Sequence, residues 1–195
     1  MAYQQEPDSV VWAVRDDGVL LGLTYQRDQQ VVAWHQHPIG GTNTAVESVA
    51  VIPSADGKSD ELWASIKRTI AGVTVRTIEY LNDSIYVDSG LEYSGSPTAT
   101  LSGLGHLEGQ TVQILGDGAV FPDQVVSGGS VTLSDTVSTA SIGLAYTTEL
   151  VTLAPELPQP DGSSFGKKKA WNRIILNLYE TLGISVNGKQ LVFRS

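Results

Sequence analysis

The stretch Val11-Trp12-Ala13-Val14-Arg15-Asp16-Asp17-Gly18-Val19-Leu20-Leu21-Gly22-Leu23-Thr24-Tyr25 reads as a strand, a tight turn and a second strand. Asp16-Asp17-Gly18 supplies the turn, because glycine takes the positive φ that a twist-matching hairpin requires. Residues 62–80 repeat the plan: Leu62-Trp63-Ala64-Ser65-Ile66 opens on Trp-Ala, Ala71-Gly72 turns, and the run closes on Tyr80. The two tryptophans lie about fifty residues apart, near the length of one β-propeller blade. Two such units are too few to close a propeller, so the chain is expected to be part of something larger or to complete an assembly.

The same grammar runs outward from this stretch. Apolar runs are short, rich in Val, Ile, Thr and Leu, and punctuated by Gly, Pro, Asp or Asn, which predicts an all-β protein. Strands are expected near 9–15, 18–25, 30–36, 46–53, 61–69 and 73–81. Residues 60–68 also admit a helix capped at Ser59 or Asp60, but their apolar positions continue into the alternation of Val73, Val75 and Ile78, which favours a strand. Near residue 82 the character changes. After Asn82-Asp83-Ser84 and the Gly/Ser/Pro segment Ser94-Gly95-Ser96-Pro97 come short runs at Thr98–Leu101, Thr111–Leu115, Ala119–Val120, Val125–Val126, Ser130–Leu133 and Ser138–Leu144. With turns at Asp117-Gly118 and Ser127-Gly128-Gly129, these predict a small β-barrel. A Pro-rich loop at 154–162 precedes two expected long strands, Trp171–Tyr179 and Ile184–Phe193, the second divisible at Asn187-Gly188. The expected organisation is a partial β-propeller-like sheet region over 1–84, a small β-barrel over 85–155, and a Pro-rich loop with returning strands over 156–195.

Composition removes several function classes. In 195 residues, 41% hydrophobic content suffices for a core, and the absence of cysteine excludes disulfides and thiolate metal sites. A net charge of −9 argues against coating a duplex, which needs cations to displace counterions; a passage through which DNA slides is instead served by negative walls. The one basic cluster, Lys167-Lys168-Lys169 with Arg173, reads as a solvated turn. There is no apolar run of roughly eighteen residues to span a membrane. The opening residues 1–8 lack the basic flank and apolar core of a secretion signal.

Few residues suggest chemistry. His35 and His37 share one face of a strand and could begin a metal site, but the third histidine, His106, is distant in sequence. Carboxylates are scattered: Asp16-Asp17 at a turn, Asp60-Glu61 at a loop end, Asp83 and Asp88 at a junction. No pair is singled out for glycoside hydrolysis. No nucleophile elbow, phosphate loop or dinucleotide fingerprint occurs. Ser127-Gly128-Gly129-Ser130 reads as a hairpin, not an anion cradle, since no helix follows it. Tyr86, Tyr93 and Tyr146 could stack on sugars if exposed. Trp12, Trp34 and Trp63 are expected in the core, with Val31 and Ala33 alternating against Val32 and Trp34. In Leu104-Gly105-His106-Leu107-Glu108-Gly109, the leucines are expected to anchor a bent loop.

Several phrases resemble a known family. They are Trp12 through Tyr25, Gln30-Val31-Val32-Ala33-Trp34-His35, Val46-Glu47-Ser48-Val49-Ala50-Val51-Ile52-Pro53, and Leu101 through Val112 running on to Leu115-Gly116-Asp117-Gly118-Ala119-Val120. Together they are similar to the tail tube, hub or nozzle proteins of tailed bacteriophages, above all short-tailed ones. The resemblance implies a non-enzymatic virion structural protein, with a propeller-like body and a small barrel likened in shape to the first catalytic-cysteine half-domain of ubiquitin-activating enzymes. Without cysteine, no thioester chemistry accompanies that shape. It further implies no catalytic, cofactor-binding or metal-binding residues, and a homo-oligomeric ring in the virion tail, made in the host bacterial cytoplasm. The implied partners are the head connector, the tail tip and the fibres, with DNA only in transit and no membrane. Members of the family are longer, so a fragment or a separately encoded part is expected. Two other functions stay open: a receptor- or glycan-binding β module, and a polysaccharide-degrading hydrolase.

Overall fold

The structure, a computed structural model, describes residues 1–153, 158–159, 162–163, 166–168, 173–179, 181 and 183–191. It is all-β, and two single 3-10 turns are its only helical pieces among those residues. The chain divides into two compact units, 1–148 and 149–195.

The first unit opens with an antiparallel meander of four strands: β1 (Ala2–Gln4), β2 (Val10–Val14), β3 (Leu20–Gln26) and β4 (Val31–His37). A second meander follows: β5 (Thr42–Pro53), β6 (Asp60–Ile70) and β7 (Val73–Tyr80). Alternation along β6 is complete: Leu62, Ala64, Ile66, Arg68 and Ile70 are all buried, while the residues between them are half-exposed. Residues 60–68 are therefore a strand and not a helix. The inner faces of the two meanders share one core of Val10, Trp12, Leu20, Val46, Leu62, Ala64 and Ile66. The expected turn at Gly18 has φ +85° and its amide closes onto the Arg15 carbonyl. Its carbonyl accepts from Val46 N at 2.9 Å, which ties the two meanders together.

The third sheet contains β8 (Asp88–Ser102), β9 (Thr111–Gly116), β10 (Ala119–Val125) and β11 (Ser130–Leu144), in the order β10-β9-β11-β8. The expected barrel is not present: β10 and β8 stand at opposite edges and are not paired, so the sheet is open. Bulges between Thr132 and Val137, between Val137 and Thr139, and between Ile142 and Leu144 bend β11 over its core. That core includes Leu101, Val112, Ile114, Val131, Leu133, Val137 and Ile142, and Ile70 of β6 joins it. The open side is stopped by the loop after β8: Leu104 and Leu107 are fully buried, as expected for its anchors. β8 also begins ten residues before the expected strand, because Ser94-Gly95-Ser96-Pro97 belongs to it. Proline is accommodated there because the ladder is interrupted between Ser94↔Thr139 and Thr98↔Val137.

In the second unit, β12 (Pro158–Gln159) pairs with β13 (Gly162–Ser163), and β14 (Ser185–Val186) pairs with β15 (Lys189–Gln190) across Asn187-Gly188. The second expected run is thus divided at Asn187-Gly188 into a short hairpin, and residues 173–179 of the first carry no strand. Trp171 and Phe193 lie outside the described residues, as does most of the Pro-rich loop.

Candidate functional site

The registers place Ala2, Trp12, Gly22 and His35 in one cross-strand row on the inner face of the first meander. Gly22 leaves room for its neighbour: a Cβ there would stand 2.1 Å from His35 Cε1. The His35 ring lies on that gap. His35 Nε2 meets Thr24 Oγ1 at 3.0 Å, and His35 Nδ1 meets His37 Nε2 at 2.7 Å. Trp12 presents its indole edge-on to both rings, with centroids 5.9 Å from His35 and 4.9 Å from His37, and its Nε1 donates to Gln4 Oε1 at 2.8 Å. Burial holds both imidazoles below their ordinary pKa, and the His35 charge lowers His37 further. His106 is elsewhere, donating Nε2–H to the Ser89 carbonyl at 3.0 Å. Among the described residues, no three metal-ligating side chains come together.

A second polar cluster lies where the second meander meets the third sheet. Arg68, 2% exposed, donates from Nε to the Gly40 carbonyl at 2.9 Å and from its terminal nitrogens to both carboxylate oxygens of Glu79, at 2.9 Å for Oε2. Thr77 Oγ1 donates to Glu79 Oε1 at 2.6 Å. Burial works to raise the Glu79 pKa, but the hydrogen bonds from Arg68 and Thr77 and the Arg68 charge outweigh it, and the net shift is down. Asp88 accepts the Gly40 amide, and burial raises its pKa, with Glu79 adding to the rise. Of these residues sequence reading singled out only Asp88. Arg68 had a legible signal, a charge at the inward phase of an alternating strand; Glu79 had none.

The other candidates resolve into structure. Asp17 pairs with Arg15 and caps Val19 N, and Asp60 accepts the amides of Gln5 and Glu6. Glu61 accepts Trp63 Nε1 at 3.0 Å, and Asp83 is exposed. The Ser127-Gly128-Gly129 turn is a hairpin with both glycines at positive φ, and its two glycine amides donate to Glu108 Oε1 and Oε2 at 2.9 and 2.8 Å. Tyr93 packs against the third sheet's core and donates to the Ser96 carbonyl at 2.6 Å, so it does not join the other two tyrosines. Tyr86 is 70% exposed and Tyr146 is 39% exposed; both lie within electrostatic reach of each other, and Tyr146 also of Asp88. Lys167, Lys168 and Arg173 are exposed, and Lys169 lies outside the described residues.

Two of the three expected core tryptophans face outward. Trp12 is buried, but Trp34 is 64% exposed. It ends an outer row, Tyr3, Val11, Leu23 and Trp34, that crosses all four strands of the first meander. Tyr25 and Val32 form the next pair on that face and are also exposed. On the second meander Trp63 is half-buried, stacks on Tyr80 at 5.1 Å, and is aligned with Ala50 and Tyr80; Ile78 beside it is exposed. Both meanders therefore carry aromatic, apolar patches on their outer faces. Compared with protein-family models and with curated proteins, the chain matches none.

Proposed function

We propose that this chain is a non-enzymatic structural component of a bacteriophage tail, of the hub or nozzle type, which links the head connector to the tail tip or fibres and helps to line the DNA passage. One observation carries the reading beyond the sequence resemblance. Each meander has its inner face packed, yet keeps a row of large apolar side chains on the outer face: Tyr3, Leu23, Tyr25, Val32 and Trp34 on one, Trp63, Ile78 and Tyr80 on the other. Exposed aromatics of that size suit lateral contact with neighbouring subunits. Several carboxylates are engaged within the fold: Asp17 and Glu47 with arginines, Asp60 with backbone amides, and Glu79 with Arg68. The net charge of −9 suits a wall that lets DNA pass without holding it.

Antibodies raised against the chain should label the tails of purified virions, and its peptides should appear in virion digests. A Val32→Ser, Trp34→Ser variant should fold but fail to enter particles. Absence from virions would overturn the reading. Binding of the isolated chain to bacterial surface glycans, lost on Tyr86→Ala with Tyr146→Ala, would move the assignment to the receptor-binding alternative; shortening of such glycans would move it to the hydrolase.

A further inference from the structure

We infer that the His35–His37 pair is a proton-operated latch on strand β4, closed while at most one extra proton is bound and opened by the second. β4 is an edge strand, paired only with β3. His35 and His37 lie on its inner face beside Val31 and Ala33, and its outer side chains Val32 and Trp34 are largely in solvent. Beside the backbone ladder to β3, the inner side carries a chain of polar contacts: Thr24 Oγ1 to His35 Nε2 across the strands, and His35 Nδ1 to His37 Nε2 along β4.

Proton counting on that chain gives the switch. In the neutral pair one ring nitrogen donates its N–H and the other accepts through its lone pair. A first added proton can go to an outer nitrogen, since the Thr24 hydroxyl can accept as well as donate. The imidazolium then still donates across the 2.7 Å contact, and the bond is kept. After that, the only unprotonated nitrogen left is the acceptor in that contact. A second proton there sets two N–H groups and two positive charges against each other, and the rings must part. Both rings belong to β4 and are partly open to solvent, so they part by one ring turning outward, away from Trp12 and Thr24, and β4 then loses inner side-chain contacts with β2 and β3.

Among the described residues, no carboxylate is positioned to soften this. From β2 the rings face Trp12; from β3, Leu20, Gly22 and Thr24. Arg15 and Asp17, at the β2–β3 turn, pair with each other at the surface. The inward charge on the opposite meander, Arg68, is held by Glu79. Among the described residues neither histidine ring has an ion-pair partner or a further hydrogen bond. Burial lowers both pKa values, which acts in the same direction. With folded values below unfolded ones, the latch's contribution is fully present above about pH 6.5 and is lost as pH falls through the folded values. A metal ion is a poorer reading of the pair: the two nitrogens already face each other at 2.7 Å, and among the described residues no third ligand is near.

The test is a histidine NMR titration of the intact chain together with amide exchange. His35 and His37 should titrate as a coupled pair in two steps separated by at least about one pH unit. Protection factors of the β4 amides should fall about tenfold or more between pH 7.5 and 5, while those of β11 hold. His37→Phe, which keeps a ring against Trp12 but leaves no acceptor to protonate, should make β4 protection independent of pH within about twofold. Two histidines titrating together in one ordinary step would overturn the latch, whatever the variant does. So would β4 protection that is equal at the two pH values, or a pH dependence that survives His37→Phe.

Discussion

At the scale of single residues, the costliest arrangement in the chain is Arg68. A guanidinium at 2% exposure tolerates burial only if its donors are matched, and here Gly40, Thr77 and Glu79 match them. Arg68→Met should destabilise the fold by about 3–5 kcal/mol, because the largely buried Glu79 carboxylate would lose its counter-charge and keep only Thr77 as a donor. Urea denaturation at pH 7 measures this. The double variant Arg68→Met, Glu79→Leu should recover a good part of the loss, since replacing both ions by apolar groups removes the unmatched charge. The same pair sets an acid sensitivity. The folded Glu79 pKa lies below its unfolded value, so its contribution is present above that value and is lost as pH falls through the folded one. Asp88 has the opposite shift, so it favours the fold more as it takes up its proton.

At the scale of elements, three two-residue hairpins share one backbone solution. Ala71-Gly72, Asp117-Gly118 and Asn187-Gly188 each place both residues at positive φ, between 46° and 79°. Asp and Asn tolerate that conformation; alanine does so at a cost of about 1–2 kcal/mol. Ala71→Asn should therefore raise stability by roughly 0.5–1 kcal/mol, read as a higher thermal midpoint with the register of β6 and β7 unchanged. Asp117 goes further than its turn: its carboxylate accepts Ser138 N, Thr139 N and Thr139 Oγ1, and these bonds hold its pKa below the usual range.

These elements also show what the sequence could reveal. Turn residues and alternation located β2 to β7 within a few residues, because a half-buried strand writes its burial directly into period two. β1 was missed, being three residues long and mostly polar. β8 was cut short because Gly95 and Pro97 read as punctuation, and only the interrupted ladder opposite them explains their place in a strand. Period two reveals that a strand has two faces, but not which one is covered. Trp12 and Trp63 open matching phrases, yet Trp12 faces the core and Trp63 stacks outside on Tyr80. Likewise His35 and His37 were placed on one face by spacing alone, whereas their direct bond depends on the space left by Gly22.

At the scale of the whole molecule, β6 runs through both cores of the first unit. Leu62, Ala64 and Ile66 belong to the core between the meanders, Ile70 belongs to the core of the third sheet, and Arg68 lies between them. Residues 1–148 should therefore unfold in one transition. Trp12 fluorescence, isolated in a variant lacking the other tryptophans, and the exchange of β11 amides should give the same midpoint in denaturant. Ile70→Ala should move both readouts together by about 2–5 kcal/mol. Separate midpoints would show that the strand does not couple the sheets. On the proposed structural role, such a shared strand would add stiffness by tying the two cores together.

The Gly128-Gly129 turn has one more consequence. Two successive glycine amides at positive φ form the kind of concave donor pair that captures anions, but Glu108, from the loop between β8 and β9, already occupies it. A passing phosphate would find that seat filled by a tethered anion. Whether a glycine motif serves a ligand or merely its own chain is thus determined by a glutamate some twenty positions upstream.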